Sequence, residues 1–136
     1  MSSYAHPEML VTTDWLTDHL DDPGVRVIEV EAMGPSPYPD GHIPGALNWP
    51  WKESLWDRAR REFVLPADFA KLMSRSGVTP ETTLVFYSED IQFATYALWP
   101  CILRGHNQVK LLNGGRTKWV QEGRPLTTVV PKVTVT

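Results

Sequence analysis

The segment "TLVFYSEDIQFATYALWPC", residues 83–101, decides the fold class of this chain. Its first part, "TLVFY", is a continuous apolar run, as in strands that are covered on both faces of a sheet. The following "QFATYALWPCILRG" has apolar residues at helical spacing and ends at a glycine. The turn between a buried strand and a helix often carries the functional site of an α/β protein. Here the turn residue is Ser88, and the only cysteine, Cys101, follows about three and a half helical turns later.

Strand and helix signals alternate along the rest of the chain. Strands are predicted for "VRVIEV" and "QVKLL", and the Gly- and Pro-rich "MGPSPYPDGHIPGA" is predicted to be a loop. Helices are predicted for "TTDWLTDHL", with Thr13 as the N-cap, for "LPADFAKLMSRSG" and for "GGRTKWVQEG". Parallel neighbouring strands need crossover connections, so this order predicts a mostly parallel central sheet with helices on both faces.

Composition limits the possible partners. A chain of 136 residues with 42% hydrophobic residues and six tryptophans is expected to form one domain with its own core. Its 13 basic and 16 acidic residues give a formal charge of −3, which favours neither nucleic acid nor an anionic membrane as a partner. No apolar stretch approaches the ~20 residues that span a bilayer, and the N-terminal residues lack the pattern of a signal peptide. A single cysteine fits a reducing compartment, so we expect a cytoplasmic protein. The four histidines show no metal-ligand spacing, and we expect neither a metal nor a cofactor.

Three segments carry a family resemblance. "YPDGHIPGALNWPW" (residues 38–51) resembles the Y-x-x-G-H-I-P-G-A segment of rhodaneses, and "LVFYS" resembles the strand that leads into their active-site loop. "VKLLNGGRTKWVQEGRPL" (residues 109–126) is similar to their L-x-G-G-x-x-x-W-x-x-x-G-x-P-L segment. The resemblance covers residues 10–128 and is greatest to the N-terminal, non-catalytic domain of two-domain thiosulfate or 3-mercaptopyruvate sulfurtransferases. It implies a rhodanese-like three-layer α/β fold.

The resemblance also shows what the turn at residue 88 lacks. Catalytic rhodaneses resemble C-x-x-G-x-[RT] at this turn, and their cysteine thiolate takes up sulfur from thiosulfate and passes it to cyanide. Backbone N–H groups of the loop and a helix N-terminus stabilise such a thiolate. This chain departs from the pattern because Ser88 stands at the cysteine position and no glycine follows it. The loop consists of Ser88, Glu89, Asp90, Ile91, Gln92 and Phe93, and its two acids would repel thiosulfate.

Two other nucleophile hypotheses are weaker. Ser88 would need an adjacent base, and the loop contains no histidine, so a role in an N-cap or Asx-type turn is favoured. Cys101 lies among apolar residues, where a free cysteine is usually a buried hydrophobe with a raised pKa. The preceding Pro100 is expected to kink the helix, which leaves a reactive thiol as the alternative.

The remaining motif residues are interpreted as structural. His42 is expected to hold its loop by hydrogen bonds, with an active histidine as the alternative. Gly45, Gly114 and Gly115 suit tight turns, and Trp119 is expected to pack its helix onto the sheet. Three tryptophans in a Pro-containing stretch are either core or part of an interface with a second domain: Trp49, Trp51 and Trp56.

We therefore expect residues 1–128 to form a rhodanese-like domain and residues 129–136 to begin an interdomain linker or a flexible tail. The expected function is that of the inactive half of a sulfurtransferase, with a second, cysteine-bearing rhodanese domain as its partner. The alternatives are a stand-alone binding module that uses Glu89 and Asp90, and an unconventional sulfurtransferase that uses Cys101.

Overall fold

The computed structural model describes residues 10–31, 38–50, 56–57, 62–63, 66–88, 94, 97–98, 100–102, 105–106 and 108–129, with residues 31, 50, 56–57, 62–63 and 66 described by their backbone only. The strands are β1 (Leu10–Val11), β2 (Val25–Glu31), β3 (Leu47–Pro50), β4 (Trp56–Asp57), β5 (Glu62–Phe63), β6 (Thr83–Tyr87) and β7 (Val109–Leu112). The helices are α1 (Thr13–His19), α2 (Pro66–Arg75) and α3 (Gly115–Gln121), with a 3₁₀ turn at Tyr38–Asp40. The described residues of the segment 94–102 are also helical.

Five strands form one sheet in the order β1-β7-β6-β2-β3, and every neighbouring pair is parallel. At its centre, β6 lies between β2 and β7, with Val27 opposite Val85 and Phe86 opposite Leu111. The predicted α/β class with a parallel central sheet is confirmed. All strands run in the same direction, so the carboxyl ends of β2 and β6 lie at the same edge of the sheet.

The sequence interpretation did not assign the two edge strands. β1 has two residues and β3, "LNWP", has four, which is too short for a period-two pattern to stand out. Both are edge strands, and β3 ends in a proline, which edge positions tolerate. The small antiparallel pair β4–β5 was not assigned either.

One face of the sheet is covered by α2 and by the helical residues after the Ser88 turn. Ile28, Leu84 and Phe86 point to this face, since alternate residues of a strand share a face. Leu72 from α2 and Cys101 pack against them, and both are fully buried or nearly so.

The opposite face is covered by α1 and α3. Val27, Val85 and Tyr87 alternate with the residues of the first face and contact Leu16 from α1 and Trp119 from α3. Ile43 and Ala46, from the loop before β3, complete this cluster. Helices therefore lie on both faces of the sheet, as predicted.

The N-terminus of α1 differs from the prediction by one residue. Thr12, not Thr13, is the N-cap, and its hydroxyl accepts a hydrogen bond from the Trp15 N–H at 3.0 Å. Thr13 is instead buried, and its hydroxyl donates to the Glu122 carboxylate after α3. A capping hydroxyl accepts a hydrogen bond from the N–H two or three residues further along the chain. The sequence pattern alone fits Thr12 and Thr13 equally well.

Candidate functional site

Ser88 directly follows β6 at the carboxyl edge of the sheet. It is 1% exposed, and its hydroxyl accepts a hydrogen bond from the Ala94 N–H at 3.3 Å. Ala94 is helical, so this N–H belongs to the segment that follows the turn. The predicted loop residues Glu89 to Phe93 lie outside the described residues. The structure thus places Ser88 between a strand and a helix. Its hydroxyl oxygen accepts a hydrogen bond from a backbone N–H group.

The glycine pair before α3 lies against this turn. The Arg116 N–H donates to the Ser88 carbonyl oxygen at 3.2 Å. A Cβ on Gly115 would come within 2.8 Å of that same oxygen, and Gly115 has φ +57°. Gly114 is the N-cap of α3 and is also left-handed, with φ 83°. Only glycine adopts this conformation readily and permits so close an approach, which explains the turn chemistry predicted for this pair.

A buried polar cluster lies at the same edge of the sheet. We call Glu29, Tyr87 and Arg116 the polar hub. The Glu29 carboxylate, 2% exposed, accepts hydrogen bonds from the Tyr87 hydroxyl at 2.6 Å and from the Arg116 guanidinium at 2.9 Å. A buried carboxylate needs such partners, because an unpaired charge in the interior is strongly unfavourable.

The polar hub also holds the loop that precedes β3. The Tyr87 hydroxyl accepts from the Ile43 N–H at 3.1 Å, and the Arg116 guanidinium donates to the Gly41 carbonyl oxygen. The hub therefore joins the ends of β2 and β6, the start of α3 and the loop at residues 38–46.

Tyr87 of the polar hub and the nearby Tyr38 are neutral phenols. Burial raises the pKa of Tyr87, and the charge of Glu29 and its hydrogen bond to the Tyr87 hydroxyl raise it further. Burial also raises the pKa of Tyr38, again with a contribution from Glu29. Both phenols are consequently hydrogen-bond donors at neutral pH and do not act as bases.

His42 and Tyr38 fix the loop at residues 38–46. The two rings stack with centroids 3.8 Å apart and planes 6° apart. The Tyr38 hydroxyl donates to the Ala46 carbonyl oxygen, while the fully buried His42 ring contacts the Tyr38 and Val129 carbonyl oxygens. Gly45 has φ 84° in the same loop. These contacts serve the structure of the loop, and none of them joins His42 to Ser88.

The surroundings of Cys101 are apolar, unlike the polar edge of the sheet at Ser88. It is fully buried in the apolar cluster beneath α2, and burial raises the pKa of its thiol to about 12. A thiol becomes a nucleophile only as the thiolate. At neutral pH this cysteine is therefore a small apolar side chain.

Of the four tryptophans named in the sequence analysis, the structure describes the side chains of Trp49 and Trp119. Trp49 is 3% exposed, packs at 5.7 Å from the Phe86 ring and donates from its indole N–H to the Ser76 hydroxyl at 3.1 Å. Trp49 thus fills the core in this domain. Trp51 and the side chain of Trp56 lie outside the described residues. Trp119 is fully buried against the sheet, and its indole donates to the Pro125 carbonyl oxygen at 2.8 Å.

Within the described part of the chain, no group of three or more His, Cys, Asp or Glu side chains could hold a metal ion. None of the described helices is long and apolar enough to cross a membrane.

Comparison with known proteins agrees with this architecture. Residues 12–122 match the family model of the rhodanese-like domain. The chain belongs to the rhodanese-like domain family. The crystal structure of SseA from Escherichia coli, described as a 3-mercaptopyruvate sulfotransferase with the rhodanese fold, superposes with a TM-score of 0.84 at 28% identity. That superposition covers 93% of this rhodanese-like chain and 53% of the SseA chain.

Sequence relatives carry names from sulfur chemistry. The sulfur carrier protein TtuD of Thermus thermophilus is 51% identical over 129 residues, which are 94% of this chain and 45% of TtuD. SseA of Mycobacterium tuberculosis, whose name gives thiosulfate sulfurtransferase as a presumed activity, is 43% identical over 137 residues. These residues are 100% of this chain and 46% of the mycobacterial SseA. The rhodanese-like chain thus spans about half the length of the curated relatives it matches.

The sequence interpretation missed the polar hub. A signal was present, because Glu29 alternates with Val25 and Val27 in a strand and therefore shares their core-facing side. Tyr87 and Arg116 border the strand end and the glycine pair, but nothing in the sequence joins them to Glu29. The parallel pairing of β2 with β6 brings Glu29 beside Tyr87, and the contact of the Arg116 N–H with the Ser88 carbonyl oxygen places Arg116 at the same edge.

Proposed function

We propose that this rhodanese-like domain is the catalytically silent half of a sulfurtransferase and that it supports a second rhodanese domain, which bears the catalytic cysteine. The observation that carries the proposal is Ser88. It stands where the family's strand ends and its active loop begins, and its hydroxyl is engaged by a backbone N–H. A serine oxygen does not form the persulfide that a cysteine forms.

The charge of the loop supports the same proposal. A catalytic loop attracts thiosulfate, a dianion, through backbone N–H groups and often a cation. Glu89 and Asp90 follow Ser88 in this chain, and a nearby negative charge opposes anion binding. No described histidine contacts Ser88 to activate its hydroxyl.

The length of the relatives supports a partner domain. The chain spans 45% of the sulfur carrier protein TtuD and 46% of the mycobacterial SseA. We propose that residues 129–136 begin the linker to the second half, and that Trp51 and Trp56 belong to the surface facing it. A lone buried thiol suits a reducing compartment, and we place the protein in the cytoplasm.

The test is the intact mass of the purified chain before and after incubation with thiosulfate, followed by cyanide. The proposal predicts no added sulfur and no thiocyanate, in the wild type as in Cys101→Ala. A catalytically competent rhodanese treated in parallel shows that the reagents are active. A cyanide-labile sulfur adduct that disappears in Cys101→Ala would instead establish Cys101 as a sulfur carrier and refute the silent role.

The supporting role has its own test. Sulfurtransferase activity is measured for the isolated cysteine-bearing half of the longer protein, with and without this domain added. The proposal predicts a higher kcat/KM when the domain is present, because it completes the folded interface. Equal activity in both samples would show that the domain does not support catalysis.

A further inference from the structure

A pocket of about 200 Å³ lies at the amino edge of the sheet, opposite to the edge that holds Ser88. Its walls come from the turn after α1, from the start of β2 and from the loop before β3, and they include Asp21, Asp22, Arg26 and Gly45. A Cβ on Gly45 would meet no atom within 4 Å, so the space beside it is open. A cavity of about 150 Å³ can hold benzene, and this pocket therefore has room for a small organic molecule.

The pocket adjoins a part of β2 that has a free side. β2 begins at Val25, but its neighbour β3 begins at Leu47, which lies opposite Ile28. In the described part of the chain, residues 25–27 therefore have no strand beside them on the β3 side. A strand side without a neighbour presents backbone N–H and C=O groups. Val25 and Val27 both line the pocket, which thus borders backbone donors and acceptors as well as side chains.

Arg26 lacks the counter-ion that two other arginines have. Arg116 pairs with Glu29 at 2.9 Å, and Arg124 pairs with Asp14 at 2.6 Å. Arg26 forms no ion pair among the described residues, and its Nε is buried without a hydrogen-bond partner. Burial lowers the pKa of Arg26, because water around a charge is lost. An anion that brings acceptor oxygens to this guanidinium would stabilise it.

Opposite charges line the pocket without contacting each other. Asp21 and Asp22 are exposed, and neither forms an ion pair with Arg26. The Asp22 Oδ1 accepts a hydrogen bond from the Gly24 N–H at 2.8 Å, which holds that carboxylate in place. The two acids would repel an anion that binds Arg26, and Arg26 would repel a cation that binds the acids. A small molecule that carries both charges gains from both groups.

A second pocket lacks this charge pattern. Its volume is about 250 Å³, and apolar side chains form much of its lining, among them Phe69, Met73 and Val78. None of its described lining residues is Asp, Glu, Lys or Arg. It is an internal control for the pocket at Arg26, because it is at least as large but offers a charged ligand no ion pair.

We propose that the pocket at Arg26 binds a small α-amino acid as its zwitterion. The ligand carboxylate accepts hydrogen bonds from the Arg26 guanidinium, and the ligand ammonium pairs with Asp21 and Asp22. The volume of the pocket restricts the ligand to a small side chain, such as that of alanine. This site lies at the opposite edge from Ser88, so its occupancy does not depend on the proposed sulfurtransferase role.

The first test compares three ligands on the unmodified 136-residue chain. Alanine, acetate and methylammonium are titrated separately at neutral pH, and ¹H–¹⁵N spectra follow the backbone amides. We expect alanine to shift the amides of Val25, Val27 and Gly45 in a saturable manner. Acetate and methylammonium should bind about tenfold or more weakly, since each makes only one of the two charged contacts. The Val78 amide, in the second pocket, should not move.

Two outcomes of this titration would overturn the proposal. The first is the absence of a saturable shift with alanine. The second is acetate or methylammonium binding as tightly as alanine, because a single charge would then be enough.

The second test removes the two acids together. The double substitution Asp21→Asn and Asp22→Asn keeps a side-chain oxygen for the Gly24 N–H. Alanine binding should weaken about threefold or more, because exposed ion pairs are individually weak, whereas acetate should bind more tightly once its repulsion is gone. Asp18→Asn, at an exposed position of α1 that does not line the pocket, is the control. If alanine and acetate both bind more tightly to the double variant, the acids do not hold an ammonium group.

The third test removes the cation. Arg26→Met keeps the apolar stem, and we expect alanine binding to weaken about tenfold or more. Arg75→Met, at an exposed position of α2 outside the pocket, is the matched control, and the Val85 and Phe86 amides report whether the core is folded. A folded Arg26→Met that binds alanine like the wild type would refute the site. If that variant does not fold, Arg26→Lys keeps the charge without the planar fork, and wild-type affinity in it would show that the guanidinium does not hold the carboxylate.

Discussion

The carboxyl edge of the sheet and the helical segment around Cys101 hold the two candidate nucleophiles, and the two regions differ in polarity. Ser88 lies at an edge that has a backbone donor, a left-handed glycine turn and the polar hub. Cys101 lies among apolar side chains that raise the pKa of its thiol to about 12. The polar edge thus has a hydroxyl, and the thiol lies where ionisation is suppressed. This separation is the basis of the proposal that the domain is catalytically silent.

The largest effect is expected from removing the cation of the polar hub. Arg116→Met removes the guanidinium that pairs with the Glu29 carboxylate at 2.9 Å, and this carboxylate is 2% exposed. We expect the free energy of unfolding to fall by about 3–5 kcal/mol, the usual result of removing one partner of a buried pair. Urea denaturation measures the change.

The matched control for Arg116→Met is Asp14→Asn. Asp14 pairs with Arg124 at 2.6 Å, but its side chain is 87% exposed. An exposed pair contributes below about 1 kcal/mol, so Asp14→Asn should be nearly neutral. Equal losses for the two variants would contradict a structural role for the hub.

A smaller loss is expected from crowding the turn at Ser88. Gly115→Ala places a Cβ 2.8 Å from the Ser88 carbonyl oxygen and requires a left-handed alanine. We expect a destabilisation of about 2–4 kcal/mol, from the backbone conformation and the overpacking together.

Gly123→Ala separates the two contributions. Gly123 has φ +73°, and a Cβ there would meet no atom within 4 Å. Its loss should be about 1 kcal/mol, from the backbone conformation alone. If thermal unfolding gives the same loss for both glycines, the close approach of α3 to Ser88 is not tight.

The apolar character of the Cys101 region can be tested by adding a hydroxyl there. Cys101→Ser buries a polar group among apolar side chains, and we expect a loss of about 1–3 kcal/mol. Cys101→Ala removes only the contacts of the sulfur and should cost about 1 kcal/mol. A serine variant as stable as the alanine variant would show that the hydroxyl finds a partner and that the region is less apolar than its lining indicates.

The raised pKa of Cys101 also predicts a dependence of stability on alkaline pH. Its folded-state value is about 12, above the ordinary value of 9.0, so the thiol contributes no change in stability below pH 9. Above pH 9 the unfolded chain loses this proton first, and stability falls as the pH rises towards 12, by up to about 1.4 kcal/mol per pH unit. Denaturation curves of the wild type and Cys101→Ala isolate this contribution, because other groups titrate in both. Identical pH slopes would show that the thiol is not desolvated.

The sequence predicted the parts of this fold that have a strong local signal. The apolar β6, the β-branched β2 and the glycine pair before α3 each have a physical signature in a short window, and the structure has them where the pattern indicated. The edge strands β1 and β3 are too short to show a period. The hub depends on the contact between residues 29 and 87, which are distant in the chain, and the His42 ring contacts the carbonyl oxygen of Val129, 87 residues later. Such contacts follow from topology, and local patterns do not contain them.

The comparison between the polar edge at Ser88 and the apolar region of Cys101 is tested most directly by the titration of Cys101 itself. The rate of alkylation of the folded chain by iodoacetamide is measured as a function of pH, with the urea-unfolded chain as the reference for an accessible thiol. We predict that the folded chain reacts very slowly from pH 7 to 9 and that reactivity rises only towards the raised pKa of about 12. A folded chain that reacts as fast as the unfolded chain near pH 8 would contradict the account, because a thiolate would then form at neutral pH within this domain.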